Sequence, residues 1–359
     1  MSLWIAALLT TGMLFFAWKS RREYLHLKEL DAPGAPQQQP VANVTVIVPA
    51  RNEARNITRC VASLASQATE VIVVDDASTD QTAELARKAG ARVAPAPPLV
   101  ADYKGKPNAC FAGAQAAKTP WLLFVDADTW YEPGFVEALI RHAEEERLTM
   151  VSVFLRNHFR SLWEWMLVPY AFGLYFTGVD VDGVHSLKAR EVLANGQCLL
   201  FDAHAYEFTG GHRAVIRSVI EDVEMARLGK RHRLRFQVMR AESMGHVRMY
   251  DSLASIWRGF QKNSFQFLGA NPGVGVQVIL ASILLTSWAP VLAWLIQEGE
   301  IAAACAFALA PSIATLFWYR NPLAALLAPI AIYIFQLIAL HSMAAHFFGF
   351  GSVWKGRKV

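Results

Sequence analysis

Cysteine is scarce: Cys60, Cys110, Cys198 and Cys305 are the only four in 359 residues, and none has the close spacing that holds zinc. That excludes a disulfide framework and a structural metal knuckle, and it fits reduced thiols in a cytosol-facing protein. A strong excess of either charge is also missing, and a net charge of +4 is too mild to argue for nucleic-acid binding. No G-x-G-x-x-G follows the first strand-like run, and there is no G-x-x-x-x-G-K-[ST]. Dinucleotide and P-loop readings therefore lose their motif. Charge itself is absent from Ser2 to Trp18, and the first charged residue is Lys19.

The hydrophobic fraction is 54%, above the roughly 45–50% of a globular domain, and the excess sits at the two ends. Ser2–Trp18 (SLWIAALLTTGMLFFAW) is near the lower limit of about 17 residues for a spanning helix. A cleaved signal peptide would carry basic residues before the apolar run and small residues after it. Here Lys19, Arg21 and Arg22 follow the run, which favours an anchor over residues 1–18 with that end cytoplasmic. In the C-terminal region 274–348, Val274–Ile296, Ile301–Trp318 and Leu323–Phe348 are apolar runs split by Gln297–Glu300 and Tyr319–Asn321. The acidic loop suits the outside and Arg320 the inside, so the first two runs read as a hairpin. The third leaves two readings. It crosses, placing the basic tail 349–359 (Lys355, Arg357, Lys358) outside, or it re-enters or lies in the interface, as His341 and His346 suggest, and the tail stays inside. Residues 19–40, a basic juxtamembrane segment and the Pro/Gln-rich DAPGAPQQQP, link the anchor to a cytoplasmic domain over 41–266.

Within that domain, Val44–Val48 is a β-branched run stopped by Pro49, hence a buried strand. ARNEARNITRCVASLAS then reads as a helix with Ile57, Val61 and Leu64 at helical spacing. Val71–Val74 is a second strand, Thr82–Lys88 a helix with Gly90 as its C-cap, and Trp121–Val125 a further strand. The alternation implies an α/β fold: an open, mostly parallel sheet with right-handed crossovers, flanked by helices. Ligands bind such sheets beyond the carboxyl ends of the strands. Three of those ends carry polar residues: Arg51-Asn52-Glu53, Asp75-Asp76, and Asp126 with Asp128.

Carboxylates repel phosphate unless a hard divalent cation, Mg2+ or Mn2+, lies between them. A D-x-D at a strand end can turn a carboxylate toward a cation held by a diphosphate, while Asp75 or Asp76 accepts hydrogen bonds from a base or ribose. Each piece alone has a plainer explanation. A D-x-D is commonly a solvated loop or helix cap, and DDASTD an ordinary turn with Ser78 or Asp80 capping the next helix. In this order and strand context, together they point to a nucleotide diphospho-sugar site.

The stretches VIVPARNEARNI, VIVVDDASTDQT, YKGKPNAC, LLFVDADTW, GGHRAV and VIEDVEMARLGK, taken in order over about Val44 to Asn263, resemble the inverting family-2 glycosyltransferases of the GT-A fold. By that resemblance Pro49, Arg51, Asn52 and Glu53 line the nucleotide pocket, Asp76 or Asp75 meets the base or ribose, and Lys104 and Lys106 reach phosphate. Surface solvation is the plainer role for the two lysines. Asp126 and Asp128 form the D-x-D, with Asp128 the direct metal ligand. Glu221-Asp222 is the pair that holds the catalytic base, with Asp222 favoured by position. The alternative is that both acids only favour a helix N-terminus through its dipole. Gly210-Gly211-His212 resembles the acceptor-side loop, preceded by the strand NGQCLLF.

The Q-x-x-R-W of processive polysaccharide synthases is missing. In its place stands HVRMYDSLASIWRGFQKN, with Arg248, Trp257, Arg258 and Lys262, expected on the acceptor side. With SLWEWMLVPYAFGLYF (Ser161–Phe176) it most resembles the branch that glycosylates carotenoid or hopanoid-type lipids. Ser161–Phe176 reads either as an aromatic interface helix or as a buried core helix. The resemblance implies a multi-pass enzyme of the cell (inner) membrane with its catalytic domain cytoplasmic. It would move one sugar from a nucleotide diphospho-sugar, UDP-linked by family habit, to a lipid acceptor in the bilayer. A processive synthase and a non-catalytic nucleotide-binding subunit are the alternatives.

Overall fold

The computed structural model describes residues 1–31, 42–100, 102–270, 272–319, 321–348, 353–354 and 357–358. The linker beyond Asp31, Arg320 and most of the basic tail, including Lys355, lie outside the described residues. In chain order the elements are α1 (Ser2–His26), β1 (Ala42–Ala50), α2 (Ile57–Leu64), β2 (Ala68–Asp75), α3 (Thr82–Lys88), β3 (Arg92–Pro95), α4 (Gly105–Ala116), β4 (Trp121–Val125), β5 (Thr129–Tyr131) and α5 (Phe135–Glu145). Next come β6 (Met150–Asn157), α6 (Leu162–Thr177), α7 (Val181–His185), β7 (Cys198–Asp202), α8 (Ala203–Phe208), α9 (Gly211–Ala214), α10 (Glu221–Arg231) and β8 (Phe236–Val247). The chain ends in helices α11 (Leu253–Ala270), α12 (Pro272–Thr286), α13 (Trp288–Gln297), α14 (Ile301–Ala308), α15 (Ala310–Thr315), α16 (Pro322–Leu326) and α17 (Ala328–Phe347).

Two compact units result. One joins Leu27–His158 to Asp182–Met249; the other gathers Met1–His26, Phe159–Val181 and the chain from Tyr250 onward. The boundaries differ from the continuous domain expected over 41–266, because α6 and α11 carry large apolar faces that pack with the apolar helices. Met166, Leu167, Tyr170 and Ile256 share one buried cluster with Ala324, Ile332 and Phe335. Ser161–Phe176 forms the N-cap and most of α6, whose residues Met166–Ala171 are buried within the helical unit. It opens with a capping box, in which Ser161 Oγ accepts from Glu164 N (3.3 Å) and Glu164 Oε2 accepts from Ser161 N (2.6 Å).

The α/β unit is built on one eight-stranded sheet in the order β3-β2-β1-β4-β7-β6-β8-β5. β1 runs parallel to β2 and β4, β2 parallel to β3, and β6 parallel to β8, whereas β7 runs antiparallel between β4 and β6. The sheet is thus mixed. VTVIV, VIVV and WLLFV form its centre because β-branched and large apolar side chains suit strands covered on both faces. Val44, Val46 and Val48 bury one face with Ile57, Cys60, Val61 and Leu64 of α2. Pro49 lies inside β1, not after it. Pairing with β4 stops at Ile47, so the donor that proline lacks falls where one side of the ladder has already ended.

In the helical unit, among the described residues, three helices are long and apolar enough to cross a membrane: Ser2–His26, Gly273–Gln297 and Ala328–Phe347. Ile301–Thr315 is shorter, broken at Leu309 ahead of Pro311. It still follows the length of α1. Ala304 and Phe307 pack in a cluster with Ala6 and Met13, while Trp318 donates its indole N–H to Ser20 Oγ (2.9 Å) and lies under the Arg21 guanidinium. This run therefore returns the chain to the basic end of α1.

Candidate active site

The parallel register sets β1, β2 and β4 side by side and in the same direction, so their carboxyl ends share one edge: Ala50 pairs with Asp75, and Ile47 with Phe124 one residue before Val125. The loops leaving β1 and β2 are stapled together there. Arg51 Nη1 donates to the carbonyls of Asp76 (2.6 Å) and Ala77 (3.1 Å), and Asp76 N donates to Ala50 O (2.8 Å). Asn52 N donates to Ser78 Oγ (3.0 Å), while its Oδ1 accepts from Thr79 N (2.8 Å). Glu53 N donates to Thr82 Oγ1 (2.7 Å) and Ala54 N to Asp80 Oδ2 (3.1 Å). Asn52 and Ala77 both take the left-handed conformation (φ 53° each). That is why the helix expected from Ala50 begins only at Ile57: Arg51–Asn56 are spent on the staple. Burial pushes the Asp80 carboxyl up, but hydrogen bonds from the Thr82 hydroxyl and the Thr82 and Ala54 amides outweigh it and hold the group low.

At the end of β2, Asp75 Oδ2 accepts from Ser78 N (3.4 Å), while Oδ1 is buried with no hydrogen-bond partner among the described residues. Pro49 is half-buried beside it in the register, opposite Val74.

The D-x-D forms a tight turn after β4. The Asp126 carbonyl accepts from Thr129 N (3.2 Å) and Thr129 Oγ1 (2.8 Å), and Ala127 points inward, 2% exposed. Arg248 N, just past β8, donates to Asp128 O (3.2 Å). Cys60, buried beneath, has its thiol pushed well up, first by burial and then by Asp128, Asp126 and Glu53; the three carboxylates thus face one neighbourhood. Trp130 and His246, paired across β5 and β8, pack ring to ring at 5.4 Å, and the Arg59 guanidinium lies 3.4 Å above the Trp130 ring. His246 also bonds Glu132 (2.9 Å) and His158 (3.2 Å). This aromatic bracket around the D-x-D turn has no motif signature and escapes sequence reading.

Lys106, in the first turn of α4, joins the motifs. Its Nζ lies 2.8 Å from Asp126 Oδ1 and 2.8 Å from Glu221 Oε1, and 3.4 Å from Gly196 O. Burial alone would push the Lys106 ammonium down, but Asp126, Glu221 and Asp222 hold its pKa well above the ordinary lysine value. Lys104 caps α4 and donates its backbone N–H to Ile216 O (2.9 Å). Asp222, at the start of α10, accepts from Gly196 N at Oδ2 (2.8 Å) and from Val223 N at Oδ1 (2.9 Å). Burial and the adjacent Glu221 push its pKa up to about 6, against the pull of Lys106 and the two amides. Gly196 was not anticipated. A Cβ there would stand 2.9 Å from Lys106 Nζ and 3.3 Å from Asp222 Oδ2, so any larger residue would push the lysine head away from the base. Its one signal is the turn dipeptide Asn195-Gly196 before β7.

The expected acceptor residues divide. Gly210 and Gly211 take positive φ (80° and 50°), and a Cβ on Gly211 would collide with the Tyr206 ring at 2.3 Å. They turn His212 into the interior, 1% exposed, where Nδ1 meets Tyr206 Oη (2.9 Å) and the ring packs on Phe124. Burial pushes the imidazole down to about 3, leaving it neutral under Glu221. This places His212 behind the carboxylates, not on an open acceptor face. Arg248 stays with the D-x-D. Trp257, Arg258 and Lys262 lie on α11 of the helical unit, where Trp257 Nε1 donates to His341 Nδ1 (2.9 Å). Among the described residues no three Cys, His, Asp or Glu side chains form a cation cage.

Residues 45–187 match the family described as Glycosyl transferase family 2. That stretch is a family-2 glycosyltransferase domain. Two relatives are both 4,4'-diaponeurosporenoate glycosyltransferases. The one from Staphylococcus haemolyticus is 31% identical over 58% of this chain and 57% of its own length. The one from Staphylococcus aureus strain MRSA252 is 30% identical over 67% of this chain and 65% of its own. The chain thus spans less than two thirds of either relative. Among solved structures, a mannosyltransferase from Pyrobaculum calidifontis in complex with GDP-Man and Mn2+ superposes with a TM-score of 0.59 at 18% identity, covering 95% of this chain and 99% of its own. This likeness shows the fold alone. The family match ends at 187, so Glu221 and Asp222 rest on geometry and motif alone.

Proposed function

We propose that the protein is a membrane-bound inverting glycosyltransferase that moves a single sugar from a nucleotide diphospho-sugar to a lipid acceptor. The observation that carries this reading is the Lys106 bridge, which ties the D-x-D at Asp126 to the Glu221-Asp222 pair at one sheet edge. Asp75 Oδ1, buried with no hydrogen-bond partner among the described residues, suits an N–H or O–H of the base or ribose, and this favours Asp75 over Asp76 for that contact. Lys104 and Lys106, at the N-terminus of α4, are placed to meet phosphate.

The residues fit a divalent cation. Mg2+ is usually held by one or two carboxylates plus substrate phosphates, not by an all-protein cage, and Asp126 and Asp128 supply that number. The Lys106 ammonium 2.8 Å from Asp126 Oδ1 supports a site that attracts positive charge. When bound, the cation would neutralise charge on the departing diphosphate.

Asp222 would take the proton from the acceptor O–H. The acceptor oxygen then bonds to the anomeric carbon from the face opposite the diphosphate, whose C–O bond breaks with inversion. Gly196 N and Val223 N fix the carboxylate, and a positioned base contributes about 10²–10⁴-fold. The named substrate of the staphylococcal relatives is the model for the acceptor's hydrocarbon chain, with a hydroxyl as the group that Asp222 deprotonates. We place the basic end of α1, with Lys19, Arg21 and Arg22, on the cytoplasmic side of the inner membrane. The test is Asp222→Asn in full-length protein reconstituted with lipid. Transfer should fall by at least about 10²-fold with donor binding retained; transfer at the wild-type rate would sink the assignment of the base.

A further inference from the structure

We propose that Ser152 is a positioning residue for the transfer, which aims the Asp222 carboxylate by locking the turn Asn195–Gln197 through its hydroxyl. The inference rests on the reading of Asp222 as the base and adds what holds that base in line.

β6 is buried from Met150 to Leu155, and Ser152 is the one polar side chain in that run, 0% exposed. A hydroxyl in such a place costs stability unless it is hydrogen-bonded. Ser152 meets a single residue in both senses: Oγ accepts from Asn195 N (2.7 Å) and donates to Asn195 O (3.3 Å). The ladder between β6 and β7 stops at Ser152 opposite Leu199, so beyond it the hydroxyl takes over from backbone pairing.

The turn is held from both ends. At its far end Gln197 O accepts from Asp126 N (3.2 Å) and from the Tyr131 hydroxyl (3.3 Å). Across the middle, Asn195 Oδ1 accepts from Gln197 N (3.1 Å) and Asn195 Nδ2 donates to Gln197 Oε1 (3.0 Å). Between these clamps Gly196 serves the site: its N–H donates to Asp222 Oδ2 (2.8 Å), and its carbonyl lies 3.4 Å from Lys106 Nζ. Without Ser152 Oγ the end at Asp126 stays fixed while the Gly196 amide loses its support. The base is then misaimed with the donor site intact, and a misplacement of about 1 Å can cost about 10²-fold.

The experiment uses the full chain in nanodiscs, with UDP-glucose as donor probe and a carotenoid alcohol as acceptor probe. Ser152→Ala is compared with wild type, Ser152→Cys, Asp222→Asn and the double variant Ser152→Ala/Asp222→Asn. UDP binding in the presence of Mn2+, measured alongside, reports folding and should be equal in all of them. We expect Ser152→Ala to lower kcat by at least about tenfold with KM for the donor unchanged. Ser152→Cys, whose thiol is a weak donor and acceptor, should fall between it and wild type. The acidic limb should move to higher pH, because the Gly196 amide pulls the Asp222 pKa down and its loss lets that pKa rise. On the residual turnover of Asp222→Asn, Ser152→Ala should cost nothing further. If Ser152→Ala does not bind UDP, Ser152→Cys carries the same comparison. A kcat and acidic limb equal to wild type in both Ser152 variants overturn the proposal, as does a loss that repeats in full on Asp222→Asn. Loss of transfer in Asp222→Asn with both Ser152 variants unchanged sinks this proposal alone. Asp222→Asn at the wild-type rate sinks the functional reading and the proposal with it.

Discussion

In the α/β unit, apolar residues are confined to strands and to one face of each helix, and polar residues collect where strands end. In the helical unit, apolar residues cover whole helices, so that exposed Leu8, Ile279 and Leu337 stand on the same helices as buried Met13, Ala281 and Ile338. Polarity therefore carries the information in the first unit and side-chain size carries it in the second. A carboxylate at the end of β4 announces a site. In α6 the absence of a side chain at Gly173 marks only where Trp318 packs close.

The largest effect expected from this contrast comes from charge. Lys106→Met leaves Asp126 and Glu221 without their shared cation and should lower turnover by about 10²-fold. It should also move the acidic limb of the pH profile, because Lys106 pulls the Asp222 pKa down and its loss lets that pKa rise. In the wild type, kcat/KM should fall as pH drops through about 6, where Asp222 takes up its proton. A limb unmoved by Lys106→Met would separate the lysine from the base.

Next in size, two glycines set the units against each other directly. Gly196→Ala puts a methyl 2.9 Å from Lys106 Nζ and should cost about tenfold in kcat, at the low end for displacing a catalytic group. Gly173→Ala, whose methyl would meet the Trp318 ring at 3.4 Å, should leave kcat unchanged. Equal losses at both would mean that the two glycines answer to the same constraint.

The sign of the Asp222 shift gives a smaller, thermodynamic effect. Its folded pKa lies above the unfolded value of 3.8, so the folded state holds the proton more tightly and loses stability as pH rises between those two values. Asp222→Asn should therefore melt higher than wild type at pH 8, with the gap closing below pH 4. The smallest effect belongs to the outer faces of the apolar helices. Leu8→Ala should change stability by under about 0.5 kcal/mol, whereas Leu123→Ala in the buried centre of β4 should cost about 2–5 kcal/mol.

The central strands, the crossovers and the acids at the ends of β2 and β4, Asp75-Asp76 and Asp126 with Asp128, were legible in the sequence, because β-branched runs and strand-end carboxylates are local signals, whereas Asp222, at the start of α10, came only with the family resemblance. The antiparallel insertion of β7 was not, since a buried strand reads alike in either direction. Arg51 and Asn52 were expected in the nucleotide pocket, but their hydrogen bonds go to the neighbouring loop, a long-range partnership no spacing reveals. His212 followed the same course: the motif marked it, while only the packing of Phe124 and Tyr206 shows that it faces inward. In the helical unit the apolar runs were visible, and the packing between them was not, because it joins helices far apart in the chain.

The ammonium that bridges Asp126 and Glu221 gives the rim a counter-ion of its own. Stripping divalent ions with a chelator should then silence the protein with little change in its melting temperature, since Lys106 already offsets charge on Asp126 and Glu221. A drug aimed here would have to displace a tethered counter-ion, so a compound carrying its own positive centre would meet less resistance than a plain diphosphate mimic.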